Sequence, residues 1–481
     1  MRFTLRQLFF IILFLGLFLM TIGPIVDPDF WWHLRTGQLI AQTHAIPSAD
    51  PFSFTYNGQP WVTQEWLSEL IIYWLYQLGG FGLLIFASTL VITGAFLLAY
   101  FRSPTDSRPY IAGFTLLLGA IATIPTWGVR PQMISLLLFS LCLFLLDRYR
   151  IKGNVKYIIP LPLIMLIWVN LHAAFILGFV LLAIFIAGGF IEQVYAEIRK
   201  TKSIDTPTLK SNLNLVAILG LSFIATLINP NGLRALLYPL GSLTTGQQYI
   251  VEFLSPDFNL LEWQPLAIFL LAVIGAGMLS KKAISPTKII LTLFFGYAAL
   301  RTMRHIPLFS IAAIPILAEQ IDSLLRIRSE VKISSRLLNW VISLFLIASV
   351  LIAGLRFVQV VQGQSKAEAL SFPKNAVDWI KENQPKGNLF NSYYWGGYII
   401  WRLYPQYPVF IDGRAGDWGN KYIIAYNNIY RAQSGWEQAL DIQGVRLVLI
   451  EPASGLATAL RQSPLWNVFY EDQISVVFEK K

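Results

Sequence analysis

Acidic, aromatic and imidazole side chains cluster where the first apolar stretch ends, in the segment DPDFWWHLR at residues 27–35. Aromatic rings commonly mark a membrane boundary but carboxylates do not, so this segment is the best candidate for chemistry at a membrane surface. Asp27 and Asp29 flank Pro28, and their carboxylates could hold a divalent cation (Mg²⁺ or Mn²⁺) or act as general base and orienting group. Glu65 is the third catalytic and metal-binding candidate. The alternatives are solvated loop acids and, for Glu65, the solvent face of a helix.

Basic side chains at the predicted outer ends of helices are candidates for binding an anion. Arginine presents fixed, bidentate donors that match the oxygens of a phosphate. The candidates for binding substrate or phosphate are His33, Arg130, His172, Arg301, Arg304 and His305. Contact with lipid head groups is the alternative for each arginine taken alone. For the histidines it is a hydrogen bond at the interface or between helices.

The composition predicts the elements that must position these residues. Of the 481 residues, 55% are hydrophobic and 13% are charged, and long apolar stretches recur along the chain. About 20 apolar residues are enough to cross a bilayer as a helix. The chain is therefore predicted to be a polytopic α-helical membrane protein with about eleven transmembrane helices. The predicted spans are 7–26, 81–101, 110–126, 132–147, 157–170, 173–193, 213–229, 264–280, 286–301, 306–321 and 338–358.

The lysines and arginines outside these spans predict the orientation. They are concentrated in the loops on the same side as the amino terminus, which by the positive-inside rule is the cytoplasmic side. With an odd number of spans, the carboxyl-terminal segment is then extracytoplasmic, and the protein is expected in the plasma (inner) membrane. The formal net charge of +10 thus reflects membrane topology, and no nucleic-acid partner is predicted.

Polarity divides the chain into a transmembrane domain at 1–358, a linker at 359–367 and an extracytoplasmic α/β domain at 368–481. The transmembrane domain includes a first outer loop at 27–80. Within that loop, residues 62–78 mix aromatic and acidic side chains and are predicted to form an interfacial helix that ends at Gly79-Gly80. In the outer domain, a helix is predicted at 373–383 and strands at 409–411, 447–450 and 474–478.

This layout resembles the C-type glycosyltransferase superfamily (GT-C), polytopic enzymes that use sugars linked to polyprenyl phosphate. In that superfamily the first outer loop carries an acidic motif at the end of the first span, similar to Asp27-Pro28-Asp29. Glu65 falls where a later carboxylate of that loop stands. The segments 376–383 and 391–399 are similar to the helix and the WWDYG motif of the oligosaccharyltransferase catalytic subunit.

The outer domain departs from the oligosaccharyltransferase pattern. Trp395 and Gly396 stand where the WWDYG motif has aspartate and tyrosine, and the aspartate recognises the acceptor in that family, so protein N-glycosylation is not expected. Tyr394 and Trp395 are candidates for stacking on a sugar or acceptor, with domain packing as the alternative. Asp412 and Arg414 are candidates for substrate contact, with an ion pair inside a turn as the alternative.

The resemblance implies a membrane glycosyltransferase that moves a sugar from a polyprenyl-phosphate-type carrier to an unspecified extracytoplasmic acceptor. Asp27 would be the general base, Asp29 and Glu65 would orient it or hold the cation, and the arginines with His305 would stabilise the leaving phosphate. Two alternatives remain open: a transporter or flippase for a lipid-linked solute, and a non-catalytic assembly subunit. The expected partners are the lipid-linked donor, the acceptor and the bilayer.

Overall fold

The structure is a computed structural model, and it describes residues 5–103, 108–200, 207–241, 250–325, 335–414 and 419–481. Helices dominate up to residue 371, and the described strands form one small sheet near the carboxyl terminus. The described helices of the first part are α1 Leu5–Thr21, α2 Phe30–Thr43, α3 Trp66–Arg102, α4 Pro109–Ile121, α5 Pro131–Lys152, α6 Leu161–Leu171, α7 Ile176–Arg199, α8 Leu209–Thr226, α9 Leu233–Gly241, α10 Gln264–Leu279, α11 Pro286–Arg301, α12 Ile306–Leu324 and α13 Ser335–Ser371.

Each predicted span lies largely within one of these helices. Six helices of the described chain are long and apolar enough to cross a membrane, and they begin at Trp66, Ala173, Leu209, Leu261, Met303 and Ser343. Shorter apolar helices cover Gln7–Thr21, Pro109–Ile121 and Val155–Leu171. The chain is thus built as a polytopic helical membrane protein. The count of eleven crossings stays a prediction.

Helix α12 forms the centre of the bundle. Its residues are mostly apolar, and 78% of its span is buried, against 11% for the span in α13. A helix that is apolar on all sides needs neighbours on all sides, and α12 packs against α3, α4, α5, α10 and α11. Helix α13 lies at the edge of the bundle, against α1 and α3.

Residues 27–80, called the first outer loop after their predicted position, contain a helix that the sequence analysis did not predict. This helix, α2, begins directly after Asp29 and carries the aromatic part of the acidic segment. Helix α3 begins at Trp66, four residues after the predicted start of the interfacial helix, and its backbone leaves helical geometry at Gly79 and Gly80. Gly80 has a φ of +58°, which only glycine adopts without strain. The predicted end of the interfacial helix therefore coincides with a kink.

The carboxyl-terminal part of the chain, called the outer domain after its predicted position, is a four-stranded sheet with helices packed around it. The sheet order is β1-β2-β4-β3, with β1 parallel to β2 and the other pairs antiparallel. The strands are β1 Asn388–Asn391, β2 Val445–Ile450, β3 Trp466–Glu471 and β4 Val476–Lys480. The described helices are α14 Lys374–Asn383, α15 Gly396–Leu403, α16 Asn420–Tyr430, α17 Trp436–Ile442 and α18 Gly455–Gln462.

One predicted strand of the outer domain belongs to its junction with the first outer loop. The predicted helix at 373–383 and the strands at 447–450 and 474–478 coincide with α14, β2 and β4. Residues 409–411 do not form a strand; instead, Val409 makes single bridges to Leu389 and to Ser53. The Val409 N–H donates to the Phe52 carbonyl at 3.0 Å. The first outer loop therefore pairs with this edge of the domain.

The predicted linker at 359–367 is part of a continuous helix, because α13 runs to Ser371. Gln364 ties this polar stretch to the first outer loop. Its amide oxygen accepts from the Ile25 N–H at 2.8 Å, and its amide N–H donates to the Ile25 carbonyl at 2.9 Å. Both bonds are buried, which explains why the stretch is ordered. The division into two domains stays a prediction, with a helix where a linker was expected.

One hydrophobic core joins the first outer loop to the outer domain. Trp31 is fully buried and packs edge-to-face against Tyr398, with ring centroids 5.0 Å apart. Helix α15 packs on α2, and a side-chain carbon added at Gly397 would lie 2.4 Å from the Pro28 carbonyl oxygen. Only glycine allows this close approach, so the outer domain lies directly against the acidic segment.

Candidate active site

A cavity of about 1240 Å³ lies between the acidic segment, the ends of several membrane helices and the outer domain. Most of the predicted site residues line it: Asp27, Asp29, His33, Glu65, Arg130, His172, Arg301, Arg304, His305, Tyr394 and Arg414. Trp395 and Asp412 are buried and are not among its lining residues. Tyr394 is 54% exposed and free to contact a ligand, whereas Trp395 packs in the core as its alternative predicted.

Asp27 is held in an ion pair. Its Oδ2 lies 3.1 Å from Arg130 Nη1, and its Oδ1 accepts from the Asp29 backbone N–H at 2.9 Å. Arg130 also pairs with Glu252, a carboxylate absent from the predicted site. Burial lowers the pKa of the Arg130 guanidinium, but Asp27 and Glu252 outweigh it and raise that pKa above its ordinary value. Arg130, predicted to bind phosphate, is thus occupied by carboxylates of the protein.

Asp29 lies in a different environment. Its Oδ1 accepts from the Trp32 indole N–H at 3.1 Å, and its side chain is partly accessible. Burial, together with the charges of Asp27 and Glu252, raises the pKa of Asp29 to about 7. A carboxyl group with a pKa near neutrality can both take up and release a proton at physiological pH.

Glu65 lies close to two histidines. Its two carboxylate oxygens lie 3.3 Å from His33 Nδ1 and 3.1 Å from His172 Nε2. The same nitrogen of His33 is 3.1 Å from Oε1 of Glu69, a buried residue that the predicted site lacks. Helix α2 supplies His33, whereas Glu65 directly precedes α3 and Glu69 lies in its first turn, so the packing of α2 on α3 brings these three residues together.

The metal site predicted from Asp27, Asp29 and Glu65 does not fit this arrangement. Asp27 is engaged by the Arg130 guanidinium, and a cation would have to displace that charge. Within the described residues, one group of three donor atoms lies close enough together to share an ion. That group is His33, Glu65 and Glu69. Asp27 and Asp29 are not part of it.

Arg301, Arg304 and His305 line the cavity where α11 ends and α12 begins. Neither arginine has a carboxylate at ion-pair distance in the described part of the chain, and Arg304 lies over the Phe253 ring at 5.4 Å. His305 Nδ1 is 2.7 Å from the Thr302 hydroxyl oxygen. Neither guanidinium group is paired with a carboxylate of the described chain. This wall of the cavity is therefore suited to bind an anion such as a phosphate.

Arg414 joins the outer domain to the first outer loop. Its guanidinium lies 2.6 Å from an oxygen of Asp412 and 2.6 Å from an oxygen of Asp50, and all three side chains are buried. The rings of Trp61 and Phe52 lie 4.7 and 5.0 Å from the guanidinium carbon. The ion pair inside a turn that was the alternative for Asp412 and Arg414 is present, and it extends to the first outer loop.

Four residues of the site were missed by the sequence analysis: Asp50, Glu69, Glu252 and Gly413. Glu69 carries a usable signal, because it stands four residues after Glu65 and this spacing puts both carboxylates on one helix face. The others carry none. Their partners are distant in sequence, 122 residues in the case of Arg130 and Glu252.

Comparison with known proteins identifies the fold. No family model and no curated protein matches the sequence. The archaeal oligosaccharyltransferase AglB from Archaeoglobus fulgidus, solved with an inhibitory peptide and a dolichol-phosphate, is similar with a TM-score of 0.58 and 13% identity over 93% of this chain and 70% of that chain. ArnT from Cupriavidus metallidurans, bound to undecaprenyl phosphate, has a TM-score of 0.51 and 13% identity over 98% of this chain and 97% of ArnT. Mycobacterial arabinofuranosyltransferase AftD has a TM-score of 0.51 and 12% identity over 100% of this chain and 42% of AftD.

These neighbours belong to the GT-C superfamily, and this chain has the GT-C fold. The fold that the layout predicts is confirmed. At 12 or 13% identity, the likeness defines the fold and leaves the sugar and the acceptor open.

Proposed function

We propose that this protein is an integral-membrane glycosyltransferase that moves a sugar from a polyprenyl-phosphate-type carrier to an acceptor on the extracytoplasmic side. The cavity is the observation that supports the proposal. Its walls include a titratable carboxyl group, that of Asp29, and two arginines, Arg301 and Arg304. Glycosyl transfer from a phosphate requires a base for the acceptor and positive charge for the leaving group. Two structures of similar fold hold a polyprenyl-type phosphate, dolichol-phosphate in AglB and undecaprenyl phosphate in ArnT.

In the proposed step, an acceptor hydroxyl loses its proton to Asp29 as its oxygen bonds to the anomeric carbon of the sugar. The bond between that carbon and the phosphate oxygen breaks, and its electron pair leaves with the polyprenyl phosphate. Arg301 and Arg304 stabilise the charge on this leaving group. Direct attack of this kind inverts the anomeric centre.

Asp29 is the proposed base in place of Asp27, the residue expected from the sequence. Both oxygens of Asp27 are engaged, one by Arg130 and one by a backbone N–H. Of the two carboxylate oxygens of Asp29, only Oδ1 accepts a hydrogen bond from the described residues. The pKa of Asp29, about 7, lets this carboxylate take up a proton near neutral pH. Asp27 then acts by holding Arg130 and by raising the proton affinity of its neighbour through its charge.

The amino terminus is proposed to be cytoplasmic, and the cavity and the outer domain to be extracytoplasmic. The excess of lysine and arginine in the loops on the amino-terminal side supports this orientation. A donor on a polyprenyl carrier would then reach the cavity from the outer leaflet, and the outer domain would cover the acceptor side.

The first test is the release of free polyprenyl phosphate from a panel of polyprenyl-phosphate sugars by the purified protein. Arg304→Ala is expected to be about 10- to 100-fold slower than the native chain, because a charge-assisted contact to phosphate contributes roughly 1.5–3 kcal/mol. Arg234→Ala is the matched control, since Arg234 is an exposed arginine that does not line the cavity. Binding of the carrier without release from any donor would contradict the proposal and favour transport or assembly.

Gly413→Ala tests whether the outer domain holds the base in place. A side-chain carbon on Gly413 would lie 1.8 Å from Asp29 Oδ1, so the alanine must displace the carboxylate. A shift of about 1 Å in a reacting group can cost roughly 100-fold in rate, and we expect a loss of that order in donor turnover. Gly363→Ala is the control, because an added carbon there meets nothing within 4 Å. Equal turnover in both variants would mean that the outer domain does not hold the base in place for catalysis.

A further inference from the structure

One polar side chain in the wall of the cavity has no partner among the residues that the structure describes. Gln64 lines the cavity and is 5% exposed, and its amide atoms Nε2 and Oε1 are both buried without a hydrogen bond to the described chain. A buried amide that forms no hydrogen bond is unfavourable for the folded state, and such groups are rare in proteins. Gln64 takes no part in the proposed transfer step, so its placement needs a separate explanation.

The backbone that carries Gln64 is fixed by its neighbours. The Thr63 hydroxyl donates to the Pro47 carbonyl at 2.5 Å. The Trp66 indole N–H donates to Asn170 Oδ1 at 3.0 Å. These neighbouring side chains are paired, and they hold the backbone of Gln64 at a fixed place in the cavity wall. A fixed backbone with an unpaired side chain is the arrangement of a preorganised binding group.

The ligand of Gln64 must both donate and accept hydrogen bonds, because the amide offers an N–H group and a carbonyl oxygen. A phosphate would accept from Nε2 but leave Oε1 unpaired, and a metal ion would bind Oε1 but leave Nε2 unpaired. Sugar hydroxyls donate and accept, so one or two of them can satisfy the whole amide. The side chain carries no charge and therefore favours an uncharged ring substituent. These properties point to hydroxyl groups of a sugar.

The position of Gln64 favours the donor sugar over the acceptor. The Ser68 hydroxyl, four residues after Gln64, donates at 2.6 Å to the Leu171 carbonyl at the end of α6. The arginines proposed to stabilise the donor phosphate, Arg301 and Arg304, likewise lie where membrane helices meet the cavity. The outer domain, by contrast, is proposed to cover the acceptor side. Gln64 is therefore attached to the part of the cavity wall that is proposed to receive the donor.

We propose that Gln64 is a specificity-determining residue that forms hydrogen bonds with hydroxyl groups of the donor sugar. The inference rests on the proposed function for the identity of the donor. With the sugar bound, the amide oxygen accepts from one hydroxyl and the amide N–H donates to a hydroxyl oxygen. A sugar that lacks the contacted hydroxyl would leave the amide buried and unpaired, and a site of this kind rejects such an analogue strongly. Gln64 thus selects a donor by the position of its hydroxyl groups.

Binding of deoxy sugars to the purified protein measures this role. The probes are polyprenyl phosphate alone, polyprenyl phosphate carrying glucose, mannose, galactose or arabinose, and analogues of each that lack one ring hydroxyl. For the sugar bound best, one analogue should have a roughly 10- to 100-fold higher dissociation constant. Gln64→Met should bind the parent sugar and that analogue equally, while its preference at the other hydroxyls stays. Gln59→Met is the control, because Gln59 is an exposed glutamine of the same loop outside the cavity lining.

The stability of the ligand-free protein gives a second readout. Gln64→Met removes an amide that has no partner in the described structure, so the apparent melting temperature in detergent should stay equal or rise. Gln364→Met is the contrasting variant, because the Gln364 amide forms two buried hydrogen bonds with the Ile25 backbone. That variant should lower the melting temperature. Equal falls in both variants would show that Gln64 has a structural role instead.

The outcomes separate this inference from the proposed function. Three results would overturn the role of Gln64: native binding of every analogue as tightly as its parent, retention of the deoxy preference in Gln64→Met, or binding of the sugar-bearing carriers no tighter than of polyprenyl phosphate alone. Release of polyprenyl phosphate by such a protein would still support glycosyl transfer. Conversely, sugar binding that depends on Gln64 but is never followed by release would keep the inference and contradict the transfer step.

Discussion

Arg414→Met is expected to destabilise the protein by about 3–5 kcal/mol, because it leaves two buried carboxylates without a positively charged partner. The side chains of Asp50 and Asp412 have no exposed surface, and each has an oxygen 2.6 Å from the guanidinium. Methionine retains an unbranched apolar stem but not the charge. The loss should appear as a lower apparent melting temperature in detergent. The junction between the first outer loop and the outer domain should open early, which exposes Trp61, the ring that packs on the guanidinium.

Arg461→Met is the matched control for this prediction. Arg461 pairs with Glu471 at the surface, where both side chains are about one-third exposed or more, and such pairs contribute about 1 kcal/mol or less. Combining Arg414→Met with Asp50→Asn and Asp412→Asn should restore part of the loss, since no unpaired charge then remains buried. Equal falls in melting temperature for the two single variants would contradict the explanation by buried charge.

The membrane helices were predictable because the length of an apolar stretch is itself the signal for a span. Helix α2 was not, because its sequence lacks the local signals of a helix. Asp29 makes no side-chain cap, and Gly37 lowers helix propensity. The glycine is explained only by tertiary packing: an added carbon would lie 2.0 Å from the Glu69 carbonyl oxygen of α3. Packing between helices thus overrode local propensity here.

The chemical groups of the site were predictable from residue type, but their pairing was not. Asp27 and Arg130 were assigned separate roles, as base and phosphate ligand, and the fold pairs them. Sequence spacing cannot report such a contact, because the two residues lie on different elements. Asp29 shows the same limit: its pKa depends on burial and on Glu252, which only the fold brings near.

The rate of glycosyl transfer is expected to rise with pH through a midpoint near 7, the pKa of Asp29. A general base acts only when deprotonated, so about a tenth of the plateau rate should remain one pH unit below the midpoint. Asp29→Asn keeps the shape of the side chain but cannot accept the proton, and it should lower the plateau by roughly 10²- to 10⁴-fold. Initial rates of polyprenyl phosphate release between about pH 5 and pH 9 measure both effects.

Glu252→Gln separates Asp29 from other titrating groups. Because burial and the charges of Asp27 and Glu252 raise the pKa of Asp29, removing one charge stabilises the carboxylate and moves the midpoint to lower pH. Arg130 then loses one of its two partners, and its freed charge acts in the same direction. Asp441→Asn, at an exposed surface pair, should leave the midpoint unchanged. A midpoint that stays near 7 in Glu252→Gln would mean that a different group titrates, and Asp29 could not then be the base.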